Sequence, residues 1–81
     1  MYYFELTETC RSRRGPEIAP GFYYSDVAYG AGTAAMYAER IWLETDESIT
    51  YVKDRLSWNR EVDLKEFAWI KLKAQPLRDL L

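Results

Sequence analysis

The sequence predicts a small α+β domain: an N-terminal antiparallel β-hairpin packed against two or three short helices. Three observations carry that expectation. Residues 2–9 (YYFELTET) and 22–29 (FYYSDVAY) alternate with the two-residue period of half-buried strands and are rich in aromatic side chains. Residues 34–44 (AAMYAERIWLE) set Ala34, Tyr37, Ala38, Ile41 and Trp42 at helical spacing. At 81 residues and 48% hydrophobic content, the chain has material for one domain, residues 1–81, and one modest core.

In the first strand, Tyr2, Phe4 and Leu6 oppose Tyr3, Glu5 and Thr7. The next twelve or so residues, CRSRRGPEIAPG, hold Gly15, Pro16, Pro20 and Gly21 and read as a long loop. A connection without a helical crossover favours antiparallel pairing of the two strands it joins. Thr33 stands where a cap would begin the helix expected over about 33–45. Residues 45–59 (TDESITYVKDRLSWN) offer two patterns. Ile49, Val52 and Leu56 are helically spaced behind Asp46 and Ser48, while ITYV suits a short strand. Helix is the favoured reading. Residues 63–75 (DLKEFAWIKLKAQ) also divide: Asp63 and Glu66 form a D-x-x-E start signal, yet apolar residues alternate from 67 to 74. Propensity and capping favour helix, ended by Pro76. The closing LRDLL docks its leucines or frays.

Composition excludes several kinds of chemistry. There is no histidine and one cysteine, Cys10. A Cys/His zinc site, a histidine base and an intrachain disulfide are therefore excluded. A net charge of −2 lacks the basic excess of a non-specific DNA binder. No apolar run approaches the ~20 residues of a membrane span, and the N-terminus lacks a signal-peptide pattern. With a lone cysteine, the expectation is a cytoplasmic protein.

Residues 30–35 (GAGTAA) fit G-x-G-x-x-A, the turn that seats a pyrophosphate in dinucleotide-binding folds. The context does not follow. No second parallel strand with a ribose-binding acid lies some twenty residues on, and Ser25 and Asp26 interrupt the preceding strand. No cofactor is expected. A lesser anion site could use Gly32 and Thr33 with Arg11, Arg13 and Arg14 from the long loop. Taken alone, CRSRRG reads as a solvated loop. Glu44, Asp46 and Glu47 read as a solvated acidic corner between two helices. Cys10 beside Arg11 has no base to activate it and reads as a plain thiol. If residues 66–74 were extended, Lys71 and Lys73 beside aromatic rings could stack on single-stranded nucleic acid.

The remaining signal is aromatic surplus. Seven Tyr, three Trp and three Phe are many rings for so small an interior, and Tyr and Trp are the types enriched in binding hot spots. The expectation is a non-enzymatic module that binds another protein through Tyr23, Tyr24, Tyr29 and Trp58, with Arg13 and Arg14 at the rim. In size and style the chain resembles small phage-encoded antagonists of bacterial defence, such as anti-CRISPR proteins. No motif carries that resemblance, so no residue role follows from it. It implies a mechanism of occlusion, in which the chain covers the working surface of a nuclease or other nucleic-acid-binding host complex. The alternatives are a phosphate, nucleotide or nucleic-acid-binding module at Thr33 and the arginine loop, and a subunit of a phage or host assembly.

Overall fold

The two faces of β1 (Tyr2–Leu6) are loaded differently, and the rest of the chain is arranged around them. The computed structural model describes residues 1–11, 17–26, 33–54 and 61–77. After β1 come β2 (Cys10–Arg11), β3 (Glu17–Ile18), β4 (Gly21–Ser25), α1 (Thr33–Tyr37), β5 (Arg40–Glu44), β6 (Ile49–Asp54), α2 (Leu64–Lys73) and β7 (Gln75–Pro76). The architecture is mixed α+β and dominated by its sheet. Five strands run in the order β6-β5-β1-β4-β7, and β2 and β3 form a separate small ladder.

The expected antiparallel pair is present: β1 faces β4 with Phe4 opposite Tyr23 and Tyr3 opposite Tyr24. The loop between them is not wholly irregular, because Cys10 pairs with Ile18 and Arg11 with Glu17. On its other side β1 pairs antiparallel with β5, placing Ile41 beside Phe4 and Trp42 beside Tyr3. β7 joins β4 in parallel.

Two sequence expectations are corrected. The helix predicted over 33–45 stops at Tyr37, and Arg40–Glu44 is a strand. Residues 45–59, read in favour of helix, instead supply β6. The physical reason is shared. Arg40–Glu44 lies beside β1, where both sheet faces are covered, so Ile41 and Trp42 are buried on opposite sides rather than on one helical stripe. The β-branched and aromatic ITYV then completes a hairpin with it. Its turn is closed by Thr45, whose hydroxyl accepts from the backbone N–H groups of Glu47 (3.3 Å) and Ser48 (3.1 Å). The acidic residues 44, 46 and 47 therefore surround a hairpin turn, not a corner between helices. The β5–β6 ladder shifts register between Ile41 and Trp42, leaving Val52 as the extra, exposed residue of a bulge.

The helix expected over 63–75 is present as α2. Asp63 caps it, its carboxylate accepting from Lys65 N (3.0 Å) and Glu66 N (3.3 Å).

Period two sorts the core into two clusters. On one face Phe4, Leu6, Tyr23 and Ile41 meet Ala34 and Ala38 from the α1 region and Cys10 and Ile18 from the small ladder. On the other, Tyr3 and Trp42 meet Phe67 and Ile70 of α2. Their rings interlock: Tyr3 meets Phe67 edge-on at 5.1 Å, and Trp42 lies 5.9 Å from Phe67. One side of α2 is thereby fixed against the sheet, which determines what its other side presents.

Candidate functional site

Most of the described rings are sheltered, contrary to the expectation of a surplus at the surface. Tyr23 is a core residue: it stands opposite Phe4 and donates its hydroxyl hydrogen to the Ala19 carbonyl at 2.7 Å. Burial pushes its phenol up from the ordinary 10.0. Tyr24 is half-buried against the second cluster, 6.2 Å from Tyr3. Tyr29, Trp58, Arg13, Arg14 and Gly32 lie outside the described residues. Arg11 donates to Glu17 at 2.6 Å across the small ladder, so a carboxylate of the chain already meets that guanidinium. Thr33 opens α1, a helix of five residues, and its side chain is outside the description. Of the expected anion-binding set, only Arg11 and the backbone of Thr33 fall among the described residues.

Cys10 is buried in the first cluster, and desolvation raises its thiol above the ordinary 9.0. That is the opposite of an activated nucleophile. A cleft of about 390 Å³ opens beside Tyr23, with Ile18, Ala19, Pro76 and Leu77 in its wall. Its polar side chains are Glu17, Tyr23 and Gln75. The Tyr23 hydroxyl already bonds Ala19, and Glu17 at the edge is paired with Arg11. Among the described residues, no cluster of acids and cysteine could hold a metal ion, and no helix is long and apolar enough to cross a membrane.

The surface with chemistry to offer is the outer side of α2. The helix turns Phe67 and Ile70 inward. At about 100° per residue, Lys65, Ala68 and Leu72 then point away from the sheet, with Leu64 and Trp69 on the flanks. Leu72 is 87% exposed, Leu64 67% and Trp69 49%. Leu64, Ala68 and Leu72 recur every fourth residue and form a continuous stripe.

This stripe is held in place by its edges. The Trp69 ring leans edge-on against Phe22 of β4, 5.7 Å away at 79°. The Lys73 ammonium lies over the Trp69 ring, 4.1 Å from its centroid. On the other flank, Lys71 donates to a Glu44 carboxylate oxygen at 2.9 Å, which favours the charged ammonium and raises its pKa. Beneath the helix, Arg40 makes a two-pronged bond to Glu5, Nε to Oε1 at 2.9 Å and Nη2 to Oε2 at 2.7 Å. Its Nη1 reaches Glu66 of α2 at 2.8 Å. The guanidinium also sits 4.8 Å from the Trp42 ring centroid. Arg40 thus ties β1, β5 and α2 at one point, and the face above is rigidly mounted.

Sequence reasoning missed this face. The signal was present in the same ambiguity that made residues 63–75 hard to assign, since a helix apolar on both sides has a second surface to cover. Comparison with protein-family models, curated proteins and solved structures finds no match to this chain. The functional reading therefore rests on the side chains themselves.

Proposed function

We propose that the chain is a non-enzymatic protein-binding module that docks through the outer face of α2. The observation supporting this reading is the stripe of Leu64, Ala68 and Leu72 with Trp69 at its border, left in solvent by a helix whose other side is fully engaged. A scattered exposed leucine needs no explanation, but large apolar side chains adjacent on one surface are the mark of an interaction site. A tryptophan already immobilised by Phe22 and Lys73 loses little further freedom when a partner covers it, which suits it to be an anchor.

The mechanism in this reading is occlusion. The chain covers a working surface of its target, in the style of small phage-encoded inhibitors of host defence complexes. The test is affinity purification from cells expressing the chain, comparing the natural sequence with Leu72→Asp. Leu72 packs on little, so the substitution leaves folding intact while placing a charge in the stripe. A protein that co-purifies with the natural chain should be lost with Leu72→Asp and depleted with Trp69→Ala. Where that protein binds nucleic acid, adding the chain should reduce that binding. Equal recovery with both variants would remove α2 from the interface.

A further inference from the structure

We infer that the partner surface received by α2 is an apolar protein groove with an acidic rim. This rests on the docking role proposed for α2 and adds the chemistry of what docks. α2 carries Lys65, Lys71 and Lys73 against Glu66, with the Asp63 carboxylate at its cap bonded to the Lys65 and Glu66 amides and Lys71 paired with Glu44, on a chain whose net charge is −2. Glu66 is turned to the sheet side by its bond to Arg40, so it adds nothing to the outer face. Lys65 is exposed within the stripe, and Lys73 is exposed at the Trp69 border. A chain that is acidic overall thus presents one helix with a basic rim around an apolar centre. The complement is a groove whose floor takes Leu64, Leu72 and Trp69 and whose lips carry carboxylates.

Other occupants fit less well. A second copy pairing α2 with α2 would set Lys65 and Lys73 near their counterparts. Nucleic acid would use Trp69 and the lysines but would leave Leu64 and Leu72 against phosphate and sugar. An anionic membrane would attract the lysines and repel the rest of the chain, whose pI is about 5.1.

The experiment is a selection on the full chain. A display library of two-helix hairpins with an apolar groove, and rim positions varied among Glu, Ser and Lys, is selected on the natural chain and counter-selected on Leu72→Asp. Survivors should be enriched in Glu over Lys at the rim. Their affinity should fall about tenfold or more for Lys65→Glu/Lys73→Glu, as expected for removal of complementary charge. Survivors without acidic enrichment, or indifferent to the charge reversal, would overturn the acidic groove and leave docking through α2 standing. Failure to find any binder that distinguishes the natural chain from Leu72→Asp would overturn both. Vesicles of equimolar phosphatidylcholine and phosphatidylserine, and oligothymidine, are run beside the selection. Co-sedimentation with either that is lost in Leu72→Asp would replace the groove by a membrane or by nucleic acid.

Discussion

Arg40 is 6% exposed and carries three charge-assisted hydrogen bonds, two to Glu5 and one to Glu66. The bonds to Glu5 come first in holding its pKa above the ordinary arginine range, against the opposing effect of burial. It stays charged at any working pH. Such a group contributes little net stability while paired, because its desolvation offsets the attraction. Removing it is another matter. Arg40→Ala strands the Glu5 carboxylate, whose side chain is 15% exposed, and should destabilise the fold by about 3 kcal/mol in urea unfolding. Glu66→Gln should cost less, about 1 kcal/mol, since Glu66 is a third exposed and water can replace it as a partner. This triad was illegible in the sequence. Its members stand 35 and 26 positions from Arg40, and no local pattern links residues that far apart. By contrast, the reading of Cys10 as a plain thiol needed no long-range information, and its site in the core is consistent with it.

At the scale of elements, legibility followed how local the deciding forces were. α2 was read correctly because Asp63 and Glu66 announce its start and the cap forms within four residues of chain. Asp63→Ala should therefore cost about 1 kcal/mol in thermal or urea unfolding, with the α2 amides losing hydrogen-exchange protection first. β1 and β4 were legible from alternation. β5 was not. Ile41, Trp42 and Leu43 are a continuous apolar run, which periodicity alone does not assign, and the alanines before them favour helix. The choice was made by β1, which offers Phe4 and Tyr3 on opposite faces and needs a neighbour that can meet both. Once β5 is a strand, ITYV follows as its hairpin partner, so a single misread boundary cost two elements. The candidate docking face was missed for a related reason. Ala68 and Leu72 were read only as part of the alternation from 67 to 74, and only the placement of Phe67 and Ile70 shows which side of the helix remains uncovered.

At the scale of the molecule, burial makes stability depend on alkaline pH. Desolvation raises the Cys10 thiol above 9.0 and the Tyr3 and Tyr23 phenols above 10.0, with Glu44 adding to the shift at Tyr3. The folded state therefore keeps protons that the unfolded chain has released, and stability falls as pH rises. The contribution is intact below the ordinary thiol value and is lost progressively above it. Calorimetry across a pH series should show a level Tm near neutrality and a decline beginning near 9.0, with Cys10→Ala moving the onset toward 10.0. A flat alkaline profile would contradict the placement of all three groups. The margins of the five-stranded sheet have a further consequence. β7 is two residues long and includes Pro76, which has no amide hydrogen to lend, while β6 is kinked by its bulge at Val52. Neither border presents the long, flat row of donors and acceptors on which another molecule's backbone could zip. A chain this rich in extended structure should thus resist growing into filaments, and associations between molecules are left to side chains rather than to lateral extension of the ladder.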